Sequence, residues 1–185
     1  YHLIDGVSGS YSRLEDAAIS LLGLCFTEYT RQDIFSLINN PCFLRKFNDT
    51  VSDEKNLYGE PLQIEQWLQW ADELNIFYGI DRESQKEKGY LHLEYDIYNW
   101  EQAFHRLTLG EMVSIEEGEG IFSNGNQQTV PFDFAEEWST EAARFMLIVR
   151  SLIADTRDLP KWELCGKDWG LYLETLSKHI SNQLG

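Results

Sequence analysis

His92-Leu93-Glu94 and Pro41-Cys42 are the fragments of this chain nearest to a zinc-deaminase centre, where one histidine and two cysteines hold the metal and a glutamate moves the proton. The second cysteine belongs three residues after Cys42, and Arg45 stands there. A guanidinium cannot replace a thiolate, so the metal set is incomplete. His2, His92, His105 and His179 lie far apart, and none pairs with a cysteine or carboxylate at metal-ligand spacing. Gly118-Glu119-Gly120 opens like a dinucleotide fingerprint, but it lacks the third glycine and its acids would repel a pyrophosphate. No G-x-x-x-x-G-K-[ST] run offers a cradle for a triphosphate, and no G-x-S-x-G elbow presents a serine. No catalytic residue, metal or cofactor is expected in this stretch of chain. A carboxylate-dependent nuclease is the weakest reading, because the pattern holds no β-rich framework to bring acids together.

Aromatic side chains can also act as stacking platforms for bases. Trp67, Trp100, Trp162 and Trp169 fall on apolar helix stripes, which assigns them to core packing. Trp70 and Trp138 lie off the cleanest stripes and are the better candidates for contact with a partner or with DNA. Arg45 and Lys46, between Phe43 and Phe47, form the densest basic and aromatic spot. Two charges are nevertheless too few for a phosphate track.

The elements that position these residues are mostly helical. Ser12 and Glu15 have the spacing of a capping box, followed by Leu14, Ala17, Ala18, Leu21, Leu22 and Cys25. Thr30 and Asp33 mark a second start, its apolar side carried by Ile34, Phe35, Leu37 and Ile38 and its end by Asn39-Asn40-Pro41. A short turn through Phe43, Leu44 and Phe47 follows. Ile64, Trp67, Leu68, Ala71 and Leu74 predict the clearest helix, with Ile76, Phe77 and Tyr78 as a buried tail before a turn at Gly79. Arg82 to Gly89 reads as a charged loop, and Tyr90 to Tyr95 as a short extended segment. Asn99 is placed to cap a helix carrying Trp100, Ala103, Phe104 and Leu107, with Gly110 near its end. Residues 116–130 read as a mobile loop or small hairpin. Ser139-Thr140 opens a long helix through Ala143, Met146, Leu147, Val149, Arg150 and Ile153, and Pro160 opens a last one through Trp162, Cys165, Trp169, Tyr172, Leu173, Leu176 and Ile180. The fold class is mainly α, a compact helical array with at most a short extended segment or hairpin.

Composition sets the outer limits. The 185 residues suit one domain able to bury roughly 70% of its unfolded surface. A 43% apolar content with six Trp, nine Tyr and ten Phe is far from the signature of disorder. The net charge of −16, from 31 acidic against 15 basic residues, repels phosphate backbones and anionic lipid, so free-standing nucleic-acid binding is not expected. The same charge is the ordinary surface of a soluble protein, a simpler account than DNA mimicry. Cys25, Cys42 and Cys165 are odd in number and set among apolar residues, which fits reduced thiols and a cytoplasmic setting. No apolar run is long enough to span a membrane, and none is expected as a partner. The chain opens on Tyr1 rather than Met, so residues 1–185 are expected to be a single domain cut from a longer polypeptide.

Two stretches carry a family resemblance, and their order strengthens it. Tyr29-Thr30-Arg31-Gln32-Asp33 through Pro41, then Arg45-Lys46-Phe47 and a Trp67 helix ending in Tyr78-Gly79-Ile80-Asp81, is similar to the gamma chain of exodeoxyribonuclease V, the RecC family. Asn99-Trp100 through Arg106 to Leu109-Gly110 resembles the family's second segment, and Leu159-Pro160 before Trp162 its later continuation. Tyr78 stands where the family carries Trp, Ala103 where it carries Gly, and Thr108 where it carries Leu.

The resemblance implies a subunit of an ATP-dependent helicase and nuclease that processes double-strand breaks for recombination. It further implies an accessory helical domain like the 2B domain of superfamily 1 helicases, in a helicase-like half without ATPase function. The implied partners are the sister beta and alpha chains, with DNA met through the full complex and the fragment itself monomeric. Trp100, Arg106 and Gly110 match the family and read as structural. The rival is an autonomous acidic helical module, of inhibitor or immunity type, that binds a basic partner by charge complementarity.

Overall fold

Thr30 shows how local chemistry starts an element in this chain. Its hydroxyl accepts the Asp33 amide, and the Asp33 carboxylate accepts the Thr30 amide at 2.9 Å, a reciprocal cap that opens α2 (Arg31–Ile38). Asn40 then accepts the Cys42 amide at 2.9 Å and starts α3 (Pro41–Asn48), where Pro41 supplies a fixed φ and needs no donor.

The computed structural model describes residues 13–48, 61–89, 94–112, 120–124, 127–133, 139–159 and 169–184. Among them, α1 (Arg13–Gly23) runs into a 3₁₀ turn (Leu24–Phe26) ahead of α2 and α3. There follow α4 (Ile64–Glu73), α5 (Arg82–Glu87), α6 (Trp100–Met112), the strands β1 (Phe122–Asn124) and β2 (Gln127–Thr129), α7 (Ser139–Thr156) and α8 (Trp169–Leu184). The two strands form an antiparallel hairpin in which Phe122 faces Thr129 and Asn124 faces Gln127. The fold is mainly α, with this hairpin as a minor sheet.

The core is centred on Phe145 of α7. Trp67, Phe35, Trp70 and Trp100 surround its ring at centroid distances of 5.2, 6.3, 6.3 and 6.2 Å. These come from α2, α4 and α6, so one side chain joins four helices. Aromatic pairs in such stacked, tilted and edge geometries add about 0.5–1.5 kcal/mol each beyond the area they bury. Glu141, one turn before Phe145, accepts the Gln63 amide at 3.0 Å and the Arg144 guanidinium at 2.7 Å. Its carboxylate thereby meets the positive end of α4, which has no side-chain cap of its own.

Several expectations are corrected. Trp70 is 2% exposed and packs on Phe145, so it presents no surface to a partner. The buried face of α4 runs through Trp67, Trp70, Ala71 and Leu74, one step around from the expected stripe, and it is Leu68 that reaches solvent. On α7 the buried face is Ala142, Phe145, Ile148, Val149, Leu152 and Ile153, while Leu147 points outward. Residues 82–87 are helical because Asp81 and Ser84 form a second reciprocal cap, which outweighs the lack of an apolar period. Ile76 is buried but Phe77 is exposed, so only part of the expected tail is internal. Ser12, residues 90–93, 113–119, Trp138, Trp162 and Cys165 lie outside the described residues.

Candidate interaction surface

Two irregular segments, Thr27–Thr30 and Phe77–Asp81, meet a third, Asp96–Asn99, and the first turn of α6 at one edge of the aromatic core, and all are stitched by their backbones. The Gly79 amide donates to the Glu28 carbonyl at 2.6 Å, and the Trp100 and Glu101 amides donate to Gly79 and Ile80 at 3.2 and 2.9 Å. The Phe77 and Tyr78 amides share the Tyr98 carbonyl at 2.9 and 3.3 Å. The Trp100 indole N–H reaches the Tyr29 carbonyl at 2.7 Å from within the core. Its ring therefore packs and its polar atom is satisfied, as a buried indole requires.

A side-chain network reinforces this junction. Gln85 on α5 is buried and donates through Nε2 to the Tyr78 and Ile97 carbonyls at 3.1 and 3.0 Å. Buried Asn99 donates to Gln85 Oε1 and Asp96 Oδ1, each at 3.1 Å, and accepts the Gln102 amide at 2.9 Å to cap α6. Gly79, at φ +83°, lies so close that a Cβ there would sit 2.6 Å from Gln85 Cγ. Tyr29, Asn75 and Tyr98 also hold left-handed backbone, at φ +50°, +57° and +59°. Tyrosine seldom adopts this region, and such strain persists only where surroundings enforce it. Tyr29 OH lies 3.1 Å from Thr156 Oγ1, and burial is the main cause that pushes its phenol up to about 12.

The junction holds an aromatic pair at the surface. Phe77 and Tyr98 are 47% and 49% exposed, with ring centroids 5.4 Å apart in an edge-on arrangement. The Arg31 guanidinium lies 5.9 Å from the Phe77 ring and pairs with Asp72. Beside Tyr98 opens a groove of ≈ 400 Å³, lined by Asn75, Ile97, Gln102, Arg106, Thr129 and Val130 among others. Arg106 Nε donates to the Val130 carbonyl at 3.0 Å, and the Phe132 amide returns a bond to the Arg106 carbonyl at 2.9 Å. Burial lowers the pKa of Arg106 from its ordinary value. A Cβ on Gly110 would overlap the Phe132 carbonyl oxygen, so glycine lets residues 130–132 lie directly on α6.

The residues singled out from the sequence divide accordingly. Trp100, Arg106 and Gly110 lie on α6, where the first joins the core to the junction and the other two hold the segment after the hairpin. Arg45 and Lys46 belong to α3, away from these in the chain. Phe77 was expected in a buried tail and is exposed instead, and Tyr98 was absent from the sequence reading. The signal that marks them is the alternation of buried Ile76 with exposed Phe77 beside a turn, which a helical stripe does not register. Among the described residues, no group of three or more His, Cys, Asp and Glu side chains is arranged to hold a metal ion. No described helix is long and apolar enough to cross a membrane. Cys25 and Cys42 are free thiols.

The fold and this junction define a mainly helical domain whose loops are fixed by hydrogen bonds to an aromatic core and carry an exposed aromatic rim. The family model described as RecBCD enzyme subunit RecC fourth domain matches residues 12–183, and the chain belongs to that family. The family-like segments at Tyr29, Tyr78–Asp81 and Asn99–Trp100 are the ones that meet at the junction. No match was found among curated proteins.

Proposed function

We propose that this domain is a non-catalytic, architectural part of the gamma subunit of a RecBCD-type exodeoxyribonuclease V. It supports assembly with the beta and alpha chains and guides DNA strands during double-strand break repair and homologous recombination in the cytoplasm. The observation that carries the reading is the family match over residues 12–183. The rigid junction supports it, because a surface that positions other chains must keep its shape while they move. DNA is met through the complete complex, since the −16 charge of this chain opposes binding on its own. Arg45, Lys46 and Trp138 are its proposed points of contact with DNA or a partner.

The test is reconstitution of the full gamma chain with its sister subunits, with and without this domain. Deletion is expected to weaken assembly or duplex unwinding by about tenfold or more, as loss of an interface of ordinary size would. Light scattering measures the first and a strand-displacement assay the second. Unchanged values for both would refute the proposal.

A further inference from the structure

Arg106 differs from most of the other described arginines in a chain with 31 acidic and 15 basic residues. Arg31, Arg82, Arg144, Arg150 and Arg157 all lie within ion-pair distance of a carboxylate. Among the described residues no carboxylate pairs with Arg106, which spends Nε on the Val130 carbonyl and is one of the side chains that line the groove. A guanidinium has five N–H donors in a planar fork that matches a carboxylate, and part of the desolvation that such a pair requires is already met by its half-buried position.

The groove has a second property. β2 pairs with β1 only, so among the described residues its other edge has no strand beside it. Gln128, Thr129 and Val130 at that end of the hairpin line the groove together with Ile97 and Tyr98. An unpaired strand edge beside a groove is the arrangement to which an extended peptide adds. Asp96, the acid among the groove residues, already accepts the Arg82 amide at 2.6 Å and the Asn99 side chain at 3.1 Å. The Phe77 and Tyr98 rings supply an apolar rim.

We infer that this groove docks an extended segment of a sister subunit, which lies along β2 and places an aspartate or glutamate against Arg106. The inference rests on the subunit reading above. A peptide fits better than a polynucleotide, because one arginine can neutralise one carboxylate but cannot offset the repulsion between a −16 domain and a run of phosphates. An apolar residue of the segment covers the Phe77 and Tyr98 rings.

Short overlapping peptides spanning the alpha and beta chains, matching peptides from the rest of the gamma chain, and labelled oligo(dT) provide the probes. Fluorescence anisotropy against the full gamma chain measures each. An acidic peptide from a sister chain is expected to bind, and Arg106→Gln to weaken it about tenfold, equivalent to about 1.4 kcal/mol. Changing the peptide's carboxylate to its amide should weaken wild type equally and add nothing in Arg106→Gln, the signature of a direct pair. Phe77→Ala, at an exposed position away from the Arg106 bond to Val130, should weaken the same peptide without altering the fold. Binding only by gamma-chain peptides or oligo(dT), or sister-chain binding indifferent to both substitutions, overturns the inference. Wild-type complex assembly is measured in parallel: assembly without peptide binding removes this site alone, whereas no assembly removes the subunit reading and the site together.

Discussion

Two sets of aromatic residues in this domain have opposite fates. Trp67, Trp70, Trp100 and Phe145 lie on helices and converge until almost no solvent reaches them. Phe77 and Tyr98 lie on loops, touch each other edge-on and leave about half their surfaces in water. Residue type does not separate the two sets, since both are large and apolar. Backbone geometry does: a helix repeats the same face every three or four residues toward the core, whereas a loop held at φ +59° aims one ring outward. The buried set creates stability, and the exposed set is placed by that stability at the rim of a groove.

The contrast is most severely tested at Phe145. Its truncation to alanine removes the ring shared by four helices and is expected to cost about 3–5 kcal/mol in chemical denaturation. A loss below about 1 kcal/mol would show that the cluster is not the keystone described. Gly110→Ala comes next, at about 1–3 kcal/mol, because residues 130–132 must move off α6. Hydrogen exchange at the Phe132 amide, bonded to Arg106, should rise selectively in that variant. Tyr29 gives a pH signature. With a folded pKa raised from 10.0 to about 12, it contributes stability that is complete below pH 10 and is lost as pH rises through 12. The difference in stability between wild type and Tyr29→Phe should therefore be flat up to pH 10 and shrink above it. Phe77→Ala should have the smallest effect, about 0.5–1 kcal/mol, because it removes one edge contact from a ring already half in water. A loss comparable with that at Phe145 would erase the distinction between core and rim.

Legibility in the sequence followed the same division. The Thr30 cap, the α6 stripe of Trp100, Ala103, Phe104 and Leu107, and the helical class of the fold were readable, because each rests on contacts within a few residues. Trp70 was misread because both Leu68 and Trp70 neighbour Trp67 on a helix surface, and only the position of Phe145 decides which is covered. Leu147 was misplaced for the same reason. The α5 helix escaped a reading based on apolar period, since its stability depends on the Asp81 and Ser84 cap and on Gln85 reaching two carbonyls. The groove was not legible at all. Its lining comes from residues 75, 96–98, 102, 106 and 128–130, and no local pattern announces that a turn, a helix and a hairpin will meet there.

The bond from the Trp100 indole to the Tyr29 carbonyl also orders events during synthesis. Its two ends are separated by 71 positions, so as the chain emerges from the ribosome the Tyr29 carbonyl waits for its donor until α6 has appeared. The amides of Phe77 and Tyr78 wait for the same segment. The helices α2 and α3 can acquire their starting caps early, but the junction at the edge of the core closes late. A nascent polypeptide thus lacks a finished junction until more than half of this domain has been made.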